Sequence, residues 1–381
     1  MLLQPELLER IRGRAAGYDR ENTFFTEDLE ELQEAGYFKA LVPTEFGGPG
    51  LSLRELAREQ MALAGAAPAT ALAVNMHHVW VGVAKVVHDR GETFMDDVLR
   101  EAAAGELFGF GISEPGNDLV LFGSKSEARP DGEGGYSFYG TKIFTSFSPA
   151  WTRLGIFGTD TTSADGPKSV YAFITRESGG YEIKDDWDAL GQRASQSCTT
   201  ILNGAHASAE RVVRRLDPGP NPDPLIFGIF ACFELLLASV YTGVAQRALD
   251  VAVATVGKRT SMKNDGAPYS HDPDIRWRIA DAGIALDGVY PQIDALAKDV
   301  DELADHGSLW FPRLSAAKVR ATETAKDVVD AAIRVSGGGS YFNRSELSRL
   351  YRDVLAGLFH PSDDESAHSA WAGALLGPLP E

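Results

Sequence analysis

Two cysteines in 381 residues, Cys198 and Cys232, are too few and too far apart for a disulfide framework or a thiolate zinc site. A reducing cytoplasm is the compartment such usage fits. Positive charge is also scarce. Thirty-six basic against 54 acidic residues leave a formal net charge of −18, which repels nucleic acid and anionic lipid. An anionic substrate would need a local cation set against that field. The start, MLLQPELLER, has no basic n-region and no apolar h-region, so no secretory signal is expected. The longest apolar stretch, 224–245, is interrupted by Glu234 and is expected to be a buried core helix without contact to a membrane.

What is present changes character twice along the chain. Residues 1–104 read as helical. Ser52 and Glu55 have capping-box spacing, the run 69–88 has no helix breaker except Gly82, and Gly105 stops the segment after it. From 105 to 216 the chain is rich in Gly, Ser, Thr and aromatics. YSFYGTKIFTS, RLGIFGTD and SVYAFITRE read as strands and RPDGEGG and TSADGPKS as turns, which predicts an antiparallel sandwich or barrel. DPGPNPDP, with four prolines in eight residues, is a boundary. Residues 217–381 read as helical again: one long helix to about Arg259, then helices over about 274–305 and 312–335, and a last one in SELSRLYRDVL. Long helices with short connections predict an up-and-down bundle.

Three segments carry candidate chemistry. GFGISEPG (109–116) lacks dinucleotide-fingerprint spacing; it is either an ordinary turn or a cradle of hydroxyl and backbone donors for a planar cofactor with carbonyl edges. In GTKIFTS (140–146), Phe144 offers a flat apolar face and Ser146 a hydroxyl. The glycines 337–339 are either a flexible connection or a place where backbone approaches a pyrophosphate. HPSDDE (360–365) has no HxxxH spacing and reads as a solvated loop, so no metal is expected.

In order, LQEAGYFKALVPTEFGGPGLS, GISEPGND, GTKIFTS, LGQRASQS, TGVAQRALD and SGGGSYFN, with Arg352-Asp353 fifteen residues after Gly337, resemble the acyl-CoA dehydrogenase family over nearly the whole chain. The resemblance implies an α+β multidomain fold: an N-terminal helical domain (1–104), a middle antiparallel β domain (105–216) and a C-terminal four-helix bundle (217–381). It implies FAD, with Phe110, Ile112, Ser113, Phe144 and Ser146 around the ring. It also implies that a neighbouring subunit of a dimer or tetramer completes the site with Lys258 or Arg259 and with Gly337 and Gly338. The family's phenylalanine-glycine pair after the basic position is replaced here by Ser261 and Met262.

The reaction implied is α,β-dehydrogenation of an acyl-CoA thioester, as in fatty acid metabolism, with hydride transfer to FAD and an electron-transfer flavoprotein as partner. It needs a carboxylate base of raised pKa. Counting from Arg352-Asp353, the base position holds Pro361, and the alternative position on the long helix holds Phe233. Glu234 is one residue off, turned about 100° around a helix. Asp363 is near in sequence but displaced. His360, one residue before Pro361, falls where flavin monooxygenases of the same fold often carry a histidine. The competing expectations are therefore a monooxygenase or oxidase that uses His360, and a non-catalytic relative that lost the base.

Overall fold

The computed structural model describes residues 2–377. The first helices are α1 (Pro5–Glu21), α2 (Thr26–Glu34), α3 (Leu53–Ala66), α4 (Pro68–Asp89) and α5 (Asp96–Ala104). The capping box forms at the start of α3: Glu55 N donates to Ser52 Oγ at 3.2 Å and Ser52 N to Glu55 Oε2 at 2.9 Å. Gly105 ends α5 at φ 102°, a left-handed conformation that a side chain would strain. Nearly all of α4 is buried, so it is wrapped by protein on every side.

An eight-stranded sheet follows, with β1 (Phe108–Gly111), β2 (Glu127–Pro130), β3 (Tyr136–Thr145), β4 (Arg153–Asp160), β5 (Lys168–Thr175), β6 (Tyr181–Ile183), β7 (Cys198–Ala207) and β8 (Val212–Leu216). The strand order is β6-β7-β3-β2-β4-β5-β8, with β1 also on β4. The antiparallel expectation holds for most pairs and fails for two: β1 and β2 both run parallel to β4. Strand β1 arrives directly from α5, and no tight hairpin dictates its direction. Trp80 of α4 packs on this sheet. Its Nε1 donates to Gly109 O at 2.9 Å, and its indole occupies the space a Cβ at Gly155 would need.

The last region holds α6 (Pro224–Lys258), α7 (Pro273–Asp287), α8 (Tyr290–Asp301), α9 (Trp310–Ser336), α10 (Glu346–Val354) and α11 (Asp364–Leu376). Helices α6, α7, α9 and α10 pack on one another as a bundle. One helix over 274–305 is not what forms. The chain breaks at Gly288-Val289, because Pro291 has no N–H to extend α7 and suits the first turn of a new helix. Helix α6 is long and apolar enough to cross a membrane by length and composition, but it is sheathed by α3, α4 and α9. The N-terminal and C-terminal helices therefore share one core. The LGQR segment clips onto it: Gln192 N donates to Asp353 Oδ1 at 2.6 Å, and a Cβ at Gly191 would lie 2.2 Å from Arg352 O. Arg352 in turn pairs with Asp19 at 2.5 Å.

Candidate functional site

Two groups of predicted residues lie apart within the chain. The first is where β1 runs into the SEPG turn beside the end of β3. Ile143 N donates to Ser113 O at 2.9 Å, which holds the two segments side by side. Phe110 and Ile112 are buried, and Phe110 stacks on Phe233 of α6 with centroids 5.3 Å apart. Phe144 is 60% exposed at a positive φ of 54°, with its edge toward Trp187. A large aromatic ring held outside the core in a strained conformation suits a surface for something flat. The Ser146 hydroxyl is buried and meets that of Ser197 at 2.7 Å.

The second group is at the far end of α6. Lys258 is exposed. Arg259 donates to Ser336 O and lies over the Tyr269 ring at 4.7 Å. Its guanidinium reaches Gly337, whose φ is 77°, while Gly338 and Gly339 have open space where a Cβ would sit. Among the described residues no hydrogen bond, ion pair or ring contact joins this group to the first. Both arrangements fit the group implied by the resemblance. One offers an exposed flat face beside the Ser113 segment, the other a basic side chain beside bare backbone, and their separation fits a site completed by a second subunit.

The three candidate catalytic residues have distinct surroundings. Asp363 caps α11, accepting from Ser366 N at 3.0 Å; hydrogen bonding by the Ser366 side chain first, and by its N–H, holds the Asp363 carboxyl below the usual range against the effect of burial. His360 Nε2 meets Tyr241 Oη at 2.8 Å. Desolvation, aided by the nearby Lys318 ammonium, pushes the imidazole down to about 3. Tyr241 is buried, which raises its phenol well above the usual value, so it keeps its proton. We assign that proton as donated to Nε2, which leaves the imidazole's own hydrogen on Nδ1. Lys318 clamps the loop by donating to Gly357 O at 2.9 Å and His360 O at 2.6 Å. Its own value is pushed down to about 8 by burial.

Glu234 is 1% exposed. Its Oε1 accepts from Ser362 N at 3.0 Å and Ser362 Oγ at 2.8 Å, and its Oε2 has no partner. Burial pushes the carboxyl up to about 7, against the pull of Lys318 and Ser362. The folded state thus holds this proton more tightly than the unfolded chain, whose glutamate titrates near 4.5. The stability from this group is complete below about pH 4.5 and is lost as pH rises toward 7. Glu234→Gln removes that loss. Its folding stability relative to wild type is expected to improve between pH 5 and pH 8, by about 2 kcal/mol. Thermal unfolding at the two pH values checks it; an unchanged difference would mean that Glu234 does not titrate in this range.

Beside this cluster opens a cavity of about 1200 Å³. Pro361 and Ser362 form part of its wall, with Phe122, Phe227, Phe230, Trp310 and Phe311 supplying aromatic surface. Glu234 lies behind Ser362. Sequence reasoning missed Tyr241, Lys318, Ser362 and the cavity aromatics, because no local motif marks them. Only the fold brings residues so far apart in sequence together.

Known proteins resemble this chain over most of its length. The family model described as acyl-CoA dehydrogenase, N-terminal domain, matches residues 7–106, and that described as acyl-CoA dehydrogenase, C-terminal domain, matches 235–364. The L-evernosamine nitrososynthase of a Micromonospora species is 30% identical over 97% of this chain and 88% of its own length. The amino sugar nitrososynthase RubN8 of Streptomyces rubradiris is 29% identical over 92% of this chain and 83% of its own. The solved structure of KijD3 in complex with FMN and dTDP-3-amino-2,3,6-trideoxy-4-keto-3-methyl-D-glucose superimposes with a TM-score of 0.88 at 26% identity, covering 100% of this chain and 94% of that one.

Proposed function

Because this chain belongs to the acyl-CoA dehydrogenase family yet carries Pro361 and Phe233 where the dehydrogenases' base is expected, we propose that it is a flavin-dependent monooxygenase. The observation that carries this reading is the cavity wall: Pro361 lines it with no proton-accepting group, and Phe233 is stacked on Phe110. The nitrososynthase relatives support an amine of a nucleotide-linked sugar as the substrate to try first.

The flavin would be held by the Phe144 face, the Ser113 and Ser146 segments, and the Arg259–Gly338 end of a second copy. The sequence resemblance points to FAD; the FMN in the KijD3 structure makes the choice between the two flavins part of the test. When bound and reduced, such a cofactor supplies two electrons to dioxygen, so that one oxygen atom enters the substrate and the other leaves as water. The chain's own residues do the rest. His360 stays neutral across the physiological range, with Nε2 fixed by Tyr241, and presents Nδ1–H as a donor. Lys318 fixes the backbone that carries it. The aromatic walls exclude water and hold the substrate ring.

A second reading is favoured by one observation. Glu234 has the raised pKa a base requires and one oxygen without a partner. A rotation of Ser362 away from it would connect it to the cavity and restore acyl-CoA dehydrogenation.

The two readings separate in one experiment. The purified protein is supplied with FMN or FAD, NADH and a flavin reductase, and offered amino-sugar nucleotides in air. It is also mixed anaerobically with a panel of acyl-CoAs. The proposal expects oxygen uptake coupled to a product heavier by one oxygen atom, and no bleaching by thioesters. Anaerobic bleaching by an acyl-CoA, abolished in Glu234→Gln, would sink it in favour of dehydrogenation.

A further inference from the structure

Arg90, at the end of α4, lines the cavity and is half-buried. One of its N–H groups donates to Val86 O at 3.2 Å, and its guanidinium lies over the Phe227 ring at 4.5 Å. Among the described residues no carboxylate comes within ion-pair distance of it; the adjacent Asp89 is taken by Lys85 at 2.5 Å. Other arginines of the chain, such as Arg14, Arg54, Arg153, Arg247 and Arg352, are paired with carboxylates. A half-buried guanidinium with unused donors is costly unless something outside the chain supplies the acceptors.

The surroundings narrow what that something is. The guanidinium carbon lies over the Phe227 ring, and apart from the bond to Val86 O its N–H groups make no hydrogen bond among the described residues, which leaves them for a ligand. Those donors form a fork that matches two oxygens of one oxyanion. Next to the fork, Trp310 meets Phe227 edge-on with centroids 5.2 Å apart, and Phe230 meets Phe311 at 4.3 Å, so flat apolar surface adjoins the cation. Asp118 and Asp305 also line the cavity, but both are exposed and screened by water, whereas Arg90 acts from a less polar position. In a chain of net charge −18, this is the one cation on the cavity wall among the described residues.

We propose that Arg90 anchors an oxyanion of the substrate, a phosphoryl or carboxylate group, with the substrate's ring lying against Phe227 and Trp310. The inference rests on this cavity being the substrate site, as the monooxygenase reading holds, but it requires no particular reaction.

Calorimetric titration of the full chain tests it in the absence of flavin and oxygen, with three probes: thymidine diphosphate, benzoate and neutral thymidine. Wild type is expected to bind one of the anions more tightly than thymidine. Thymidine diphosphate would assign the group as phosphoryl, benzoate as carboxylate. Arg90→Gln is expected to weaken that anion by about tenfold to a hundredfold while leaving thymidine unchanged. Arg90→Lys, which keeps the charge and loses the fork, should fall between and serves if Arg90→Gln is poorly folded. The proposal is overturned if neither anion binds wild type, if thymidine binds as well as the anions, or if Arg90→Gln and Arg90→Lys bind like wild type. Because turnover is not measured, a failed oxygenation assay and a failed anchor remain separate outcomes.

Discussion

Glu114→Ala is expected to lower folding stability by about 3–5 kcal/mol, the cost of leaving a buried charge without its partner. The Glu114 and Lys142 side chains are 1% and 0% exposed and meet at 2.6 Å. Glu114 Oε1 also accepts from Ser124 Oγ, Ser126 N and Ser126 Oγ, and Oε2 accepts from Asn117 Nδ2 and Lys125 N. Against the penalty of burial, Lys142 and these donors hold the carboxyl at about 2. Alanine would leave the Lys142 ammonium with only Phe157 O at 2.7 Å and its cation–π contact with the Phe157 ring. The folded pKa lies below the ordinary 4.5, so the carboxylate's contribution is complete above about pH 4.5 and is lost as pH falls toward 2. The variant's deficit should therefore shrink in acid. Urea unfolding at pH 7 and pH 3 measures both parts, and a deficit under about 1 kcal/mol at pH 7 would refute the account. Glu114 follows Ser113, and Lys142 precedes Ile143, whose N–H is bonded to Ser113 O, so the loss should also loosen any ligand held on the Phe144 face.

His360→Ala is the second large expected effect, on turnover this time. If the imidazole positions or moves a proton in oxygen transfer, its loss should lower the rate by about 10²–10⁴-fold. Binding of the substrate anion at Arg90 should be nearly untouched. Tyr241→Phe should fall between, because it frees Nε2 without removing the ring. With the imidazole near 3, wild-type activity should show no titration from His360 between pH 5 and pH 8. Tyr241→Phe leaves the burial and the Lys318 charge that set this value, so it should show no His360 inflection in that range either. Oxygen uptake that continues without product in His360→Ala would support the role. A rate within about threefold of wild type would remove His360 from the reaction.

Much of the architecture was readable from local chemistry. The Ser52–Glu55 box, the Gly105 stop, the strands of 136–175 and the helix from Pro224 all follow from capping, alternation or unbroken apolar sequence. Counting residues from Arg352-Asp353 found Pro361, and the alternative position on the long helix found Phe233; the structure shows the first in the cavity wall and the second stacked on Phe110. What local signals could not show are relations between distant segments. The parallel pairing of β1 with β4 depends on how α5 delivers the chain. The break between α7 and α8 needed more weight on Pro291 than on the helical run around it. Arg90 looked like one charge among many, and only its position over Phe227 without a carboxylate neighbour sets it apart. Glu234 was singled out for a near miss in spacing, whereas its raised pKa comes from burial behind Ser362, which is 128 residues away.

The core shared by α3, α4 and α6 also sets a timetable for synthesis. Helix α4 is complete when residue 89 is made, but its main helical partner is not finished until residue 258. At about 5–20 residues per second, that interval is on the order of ten to thirty seconds. For that time a helix built to be surrounded is short of its partners, and the sheet that forms meanwhile covers only its Trp80 side. The nascent chain must therefore reach the end of α6 with an apolar helix still uncovered, which makes early release from the ribosome or a pause within the sheet more hazardous than any later delay.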